Sequence, residues 1–205
     1  MGQYYKIIFL AENTNSDDEE PSIEQQAEII RLALNPHNYR QGGKIMEHSY
    51  IGNQFVALAE YLLSPLGMFY KSRLVWAGDY ADGEPTTGQN LYHAALEPQL
   101  LFSASKDFNA SEYRYIVNHT KREFVDKQQC LEQQLARDLD DSEDRLIVHP
   151  LPLLVSEGNG CGGGDYWGHG EDDCGRWSRD VISLERSAPN PEKGFVEFIP
   201  KFESN

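Results

Sequence analysis

Apolar and polar residues alternate or cluster along the chain in ways that predict where strands lie. Short runs rich in aromatic and branched side chains favour strands, because such side chains pack well on a pleated surface. Two of these runs flank the four residues 118–121 and predict a β-hairpin. The predicted strands are 4–10, 73–77, 113–117, 122–125, 146–155, 177–184 and 195–199.

Other segments repeat their apolar residues at helical spacing. In 51–62 these residues recur at i, i+4, i+7, i+8 and i+11, which predicts a helix that ends near Ser64. A helix is also expected at 22–34, where Ser22 and Gln25 have capping-box spacing ahead of a helical apolar pattern. The composition of 126–138 favours a third helix.

The order of these elements indicates the fold class. Strands and helices occur in clusters and do not alternate as regular βαβ units, so we expect an α+β fold with a mainly antiparallel sheet and two or three helices. The length of 205 residues suits a single layer-packed domain over 1–205, with acidic loops near 12–21 and 138–144.

Charge and apolar content narrow the classes of partner. With 18 basic and 33 acidic residues the chain carries a formal charge of −15, which argues against direct nucleic-acid binding. The longest apolar stretch, 146–155, is interrupted by proline and is too short to span a membrane. Without a signal-peptide pattern at the start, and with three cysteines, the sequence predicts a cytoplasmic protein with reduced thiols.

The most unusual segment is the glycine-rich run 158–165, which holds five glycines within seven positions. Such a run lets a ligand approach the backbone closely, or simply forms a tight corner. It lacks the Lys and Ser or Thr of a phosphate-binding P-loop, since Asp165 and Tyr166 follow its last glycine.

A second glycine-aspartate corner, at Gly78 and Asp79, resembles the one at Gly164 and Asp165. If both corners meet at one sheet edge, their carboxylates form an acidic pocket that could bind Mg²⁺ or Ca²⁺ or supply a general base. Asp79 and Asp165 are the candidate metal ligands. Alternatively, each aspartate only caps its own turn. The candidate pocket residues are Glu47, Asp79, Asp82, Glu157, Asn159, Asp165 and Trp177.

A zinc site is the less favoured metal hypothesis. Cys161, His169 and Cys174 fall within fourteen residues, together with several aspartates. Their spacing matches neither paired CxxC motifs nor an HExxH helix, so reduced thiols are the preferred interpretation.

Acidic residues are concentrated in two stretches, 12–28 with seven and 157–173 with five, and neither contains Lys or Arg. Such a surface can attract a basic protein partner, for example an enzyme inhibited by charge mimicry, or it can serve only solubility. We therefore expect an acidic binding protein, for either a small ligand at the glycine-rich loop or a basic macromolecule. The alternative is a carboxylate-dependent hydrolase that acts with or without a bound metal ion.

Several short motifs resemble the signature of a family of bacterial proteins that has no assigned activity. The resemblance covers most of the chain and implies a shared pocket only if the motifs gather in space. It rests on the N-terminal MGQYY, KIMEHS at 44–49, WAGDY at 76–80, YIVN at 115–118, the loop 158–165, and GRW at 175–177 with Asp180.

Overall fold

The computed structural model describes residues 2–12, 28–98, 101–136, 147–159, 166 and 173–202. The strands in this part of the chain are β1 (Tyr5–Leu10), β2 (Ile30–Leu34), β3 (Ser72–Gly78), β4 (Tyr115–Asn118), β5 (Glu123–Asp126), β6 (Ser156–Glu157), β7 (Val181–Glu185) and β8 (Val196–Glu197). The α-helices are α1 (Ile45–His48), α2 (Gln54–Leu63), α3 (Leu91–Ala94), α4 (Lys127–Ala136) and α5 (Pro150–Val155).

All eight strands belong to one sheet. Its order is β2-β1-β3-β7-β4-β5-β8, and the short strand β6 pairs beside β3. Of the seven pairings in the described part of the chain, β3 with β6 and β5 with β8 are parallel and the other five are antiparallel. The predicted α+β class with a mainly antiparallel sheet is therefore confirmed.

Both faces of the central strands are buried, which explains why β1 and β3 read as nearly continuous apolar runs. Successive side chains of a strand point to opposite faces. Ile7 and Phe9 of β1 join the larger core with α2 and α5, whereas Ile8 and Leu10 pack on the other face with α3. In the described part of the chain, α1, α2, α4 and α5 contribute to the core on one side of the sheet, and α3 packs on the other side.

Helix α2 agrees with its sequence pattern. The side chain of Asn53 caps the helix by accepting hydrogen bonds from the N–H groups of Phe55 and Val56. The helix ends at Leu63, next to the predicted stop at Ser64. The predicted hairpin is also confirmed as β4 and β5, and α4 confirms the helix expected at 126–138 over its described part.

The helix expected at 22–34 is wrong in its described part. Residues 30–34 form strand β2, which pairs antiparallel with β1, while 22–27 lie outside the described residues. Ile30, Leu32 and Leu34 fit an alternating pattern as well as a helical one, and hydrogen bonding to β1 decides between them. Tertiary pairing here overrides the local helix signal.

The strand expected at 146–155 is also wrong, because residues 150–155 form helix α5. Pro150 occupies the first helical position, where its missing N–H leaves no bond unmade, and the side chain of His149 caps the helix. The strand expected at 177–184 is shorter and begins later, since β7 spans Val181–Glu185. The strand expected at 195–199 is reduced to the two residues of β8.

None of the helices in the described ranges is both long enough and apolar enough to cross a membrane.

Candidate functional site

The start of the glycine-rich run lies beside the Gly78 corner. Strand β6 runs parallel to β3, with Ala77 opposite Glu157, so that Gly78 and Gly158 follow at the same end of the sheet. The backbone N–H of Asn159 donates a 2.9 Å hydrogen bond to Oε1 of Gln3. Asn159 is exposed, whereas Gly164 and Asp165 lie outside the described residues, so the meeting of the two corners stays a prediction.

The other carboxylates predicted for this pocket have local roles. Oδ1 of Asp79 accepts a 3.0 Å hydrogen bond from the N–H of Tyr4, at the start of β1. Glu47 closes the capping box of α1 by accepting from the N–H of Lys44 at 2.9 Å. Asp82 is exposed. Glu47 thus caps its own helix, whereas Asp79 links its corner to the start of β1.

Glu157 belongs to a network of ion pairs. Its carboxylate accepts hydrogen bonds from Oγ of Ser178 and Nε of Arg179, both at 2.8 Å. Arg179 has a left-handed backbone with φ of 64° and also binds the buried Glu84 through two nitrogens. The charge of Glu157 is therefore already paired with a guanidinium.

Trp177 is buried in the core, and its Nε1 donates a 2.7 Å hydrogen bond to Glu123. Cys174 is also buried, whereas Cys161 and His169 lie outside the described residues. Within the part of the chain that the structure describes, no group of three His, Cys, Asp or Glu side chains is arranged to hold a metal ion.

A different set of ionisable side chains converges elsewhere, at a cleft of about 600 Å³. Glu60, Lys127 and His149 line this cleft and are largely buried, with side-chain exposures of 4%, 13% and 5%. We call these three residues the ionic triad. Glu60 belongs to α2 and Lys127 to α4, and His149 is the residue before α5.

Each member of the triad is fixed by its own element. Glu60 lies in the second turn of α2. Lys127 is the first residue of α4. The side chain of Asp126 caps this helix by accepting hydrogen bonds from the N–H groups of residues 128 and 129. Nδ1 of His149 accepts the N–H of Leu151 at 3.1 Å as the cap of α5, which leaves the proton of the neutral ring on Nε2.

Both neighbours bind the same oxygen of Glu60. Nε2 of His149 lies 3.2 Å from Oε1, and Nζ of Lys127 donates to Oε1 and, at 3.0 Å, to the carbonyl of Ala110. Within the described residues, Oε2 of Glu60 has no hydrogen-bond partner, although Glu60 lines the cleft. One carboxylate oxygen of Glu60 is thus held in place by two neighbours.

The surroundings determine the charge states of the triad. Burial alone would raise the pKa of Glu60, but the Lys127 ammonium and the His149 hydrogen bond outweigh burial and lower it. Burial lowers the pKa of His149, and Lys127 adds to this effect, while Glu60 opposes it. At neutral pH Glu60 is therefore a carboxylate and His149 a neutral imidazole.

The rim of the cleft combines a second cation with apolar walls. Arg114 binds Asp126 through Nε and Nη2, and its side chain remains 48% exposed. Ile51 and Leu131 line the same cleft and supply apolar surface. The cleft therefore offers cationic donors, one carboxylate acceptor and an apolar wall to a bound molecule.

Sequence reasoning did not identify the triad, although two signals were present. Glu60 is the one charged residue in the sequence of α2, and it lies between Val56 and Leu63, which are both buried. His149 interrupts the apolar stretch 146–155. A charged or titratable residue inside an apolar element is a signal that a buried partner exists.

Comparison of the chain with protein-family models, curated proteins and solved structures finds no match in any of the three.

Proposed function

We propose that this chain binds a small organic anion in the cleft lined by the ionic triad. The ligand carries an anionic group for Arg114 and Lys127, a hydrogen-bond donor such as a hydroxyl for Glu60, and an apolar part. The observation that carries the proposal is the convergence of two nearly buried side chains, Lys127 and His149, on one carboxylate oxygen of the buried Glu60 at the wall of a cleft.

The energetics of the triad support a role beyond folding. Removing two charges from water is unfavourable, and apolar side chains of similar volume often stabilise a protein as well as or better than a buried ion pair. Ionisable groups that are desolvated and paired within a cleft are therefore typical of functional sites.

The local charge supports an anionic ligand. The chain as a whole carries −15, yet the cleft lining contains two cations, Arg114 and Lys127, against one anion, Glu60. Arg114 uses Nε and Nη2 for Asp126, which leaves Nη1 to bind a carboxylate or phosphate. Because an anion beside Glu60 is repelled, a ligand with a hydroxyl or ammonium group nearby is favoured.

This proposal keeps the small-ligand function expected from the sequence but moves it from the glycine-rich loop to the cleft. Most of that loop, and most of the two acidic stretches on which a basic partner depends, lie outside the described residues. The hydrolase alternative depends on Asp165, which is also outside them. The triad supplies a carboxylate for acid-base chemistry, but binding is the function its geometry supports best.

Three related probes test the proposal by isothermal titration calorimetry. Mandelate has a carboxylate, a hydroxyl and a phenyl ring, phenylacetate lacks the hydroxyl, and benzyl alcohol lacks the carboxylate. We expect mandelate to bind most tightly and benzyl alcohol most weakly. Losing one charge-assisted hydrogen bond is expected to weaken binding about ten-fold.

Arg114→Gln is the informative variant, because this partly exposed side chain can be replaced without opening the core. It should weaken mandelate binding about ten-fold. Arg186→Gln is the matched control, since Arg186 is 60% exposed, pairs with Glu112 and does not line the cleft. The proposal fails if mandelate does not bind at millimolar concentration, or if both variants weaken it equally.

A further inference from the structure

A second cleft, of about 320 Å³, lies on another face of helix α2 and has aromatic walls. Tyr39, Phe55 and Phe102 line it, together with the amide side chains of Gln41 and Gln54. None of the described residues that line this cleft is charged. It therefore differs in chemistry from the cleft of the ionic triad.

The aromatic surface of this cleft is held rigidly. Phe55 is 1% exposed and packs edge-on against His48 and Trp76, with ring centroids 5.4 and 6.3 Å away. Tyr39 packs against Phe55 at 5.3 Å with the rings tilted by 45°. A ring that enters the cleft meets preformed π-faces and edges, an arrangement that favours planar ligands.

Hydrogen-bond donors also point to a ligand with polar edges. The hydroxyl of Tyr39 accepts the N–H of Phe102 at 3.1 Å, so its own proton is available for donation. Burial raises the pKa of Tyr39, which keeps this proton in place. Oε1 of Gln41 accepts from Asn53 at 2.9 Å, and within the described residues the amide nitrogen of Gln41 has no partner.

We infer that this second cleft binds a neutral, planar heteroaromatic ring of the size of a purine base. Tyr39 and Phe102 would stack with the ring, the buried Phe55 would form the floor of the cleft, and the Tyr39 hydroxyl and Gln41 amide would donate to acceptor atoms of the ligand. Because such a ligand is uncharged, the net charge of −15 does not repel it. This site is separate from the one under Proposed function and does not depend on it.

The volume agrees with this ligand class. A cavity of about 150 Å³ is large enough to hold benzene. The second cleft has about twice that volume, which suits a fused two-ring system. Its chemistry resembles the general use of aromatic side chains as stacking surfaces for bases, which depends on ring faces and tolerates different base identities.

The experiment uses adenosine as the probe, with binding to the full chain measured by calorimetry and by saturation-transfer NMR. Ribose, which lacks the base, is the matched ligand control. We expect adenosine to bind and ribose not to bind. Phe102→Ala should weaken adenosine roughly ten-fold, the usual effect of removing a stacking side chain.

Tyr39→Phe provides a second variant, because it removes only the hydroxyl and keeps the ring. It should weaken adenosine several-fold without unfolding the protein. Phe108→Ala is the matched control for Phe102→Ala, since Phe108 packs against Tyr61 at 5.4 Å outside the cleft. The inference is overturned if adenosine does not bind at millimolar concentration, if ribose binds equally well, or if Phe108→Ala weakens binding as much as Phe102→Ala.

Discussion

Replacing Lys127 by methionine leaves the buried carboxylate of Glu60 without its cation. Methionine keeps most of the length of the lysine side chain, so the variant removes charge with little change in packing. Removing one partner of a buried ion pair costs about 3–5 kcal/mol. Because Lys127 is 13% exposed and His149 still binds Glu60, we expect the lower end, about 3 kcal/mol.

This loss is large enough to measure by thermal unfolding. A domain of about 200 residues loses about 2–4 °C of melting temperature per kcal/mol, so Lys127→Met should melt about 6–12 °C lower than wild type. Lys193→Met is the control, because Lys193 is exposed and outside the cleft, and its melting temperature should not change. Adding Glu60→Leu to Lys127→Met should recover much of the loss, since the unpaired charge is then gone.

The effect should also depend on pH. The folded-state pKa of Glu60 is lowered, so the stabilisation by its charged form is complete above the ordinary carboxyl range and is lost as pH falls through the lowered value. The difference between Lys127→Met and wild type should therefore be largest near neutral pH and shrink in acid. Equal melting temperatures at neutral pH would refute the assigned role of the triad.

Three further predictions follow from other buried groups. The ring of His48 accepts a hydrogen bond from Nε1 of Trp76, and burial lowers its pKa to about 4. NMR should therefore find the ring neutral until the pH approaches 4, and titration near 6.5 would contradict the packing. The stabilisation by the neutral ring is lost as pH falls from 6.5 toward 4. Gly158→Ala places a Cβ 2.4 Å from Oε1 of Gln3 and should destabilise the fold by about 1–2 kcal/mol in denaturant unfolding, whereas an unchanged midpoint would show that the contact is absent. Burial raises the pKa of the Cys130 thiol to about 12, so mass spectrometry should detect its alkylation only after denaturation and not in the native protein.

The sequence predicted the fold class because most of its elements carry one dominant pattern. Strands β1 and β3 consist of aromatic and branched residues, and α2 has both a helical period and a capping asparagine. The errors fall where two patterns coincide. Residues 30–34 fit either period, and the prolines of 150–155 break a strand but are tolerated in the first turn of a helix.

The candidate site was less predictable, because its residues are distant in sequence. Glu60 and Lys127 are 67 positions apart, and Glu60 and His149 are 89 apart. Their contact depends on how α2, α4 and α5 pack, which no local pattern encodes. The start of the glycine-rich run lies beside Gly78 because β6 pairs with β3, and the sequence pattern did not predict β6.

The central claim, that the cleft of the ionic triad binds a small organic anion, is tested most directly by methyl NMR during a titration with mandelate. Ile51 and Leu131 line the cleft, whereas Leu135, one turn further along α4, is 57% exposed and does not. We predict saturable shifts of the Ile51 and Leu131 methyl signals and none for Leu135. Unchanged signals at Ile51 and Leu131, or equal shifts at all three residues, would contradict the claim.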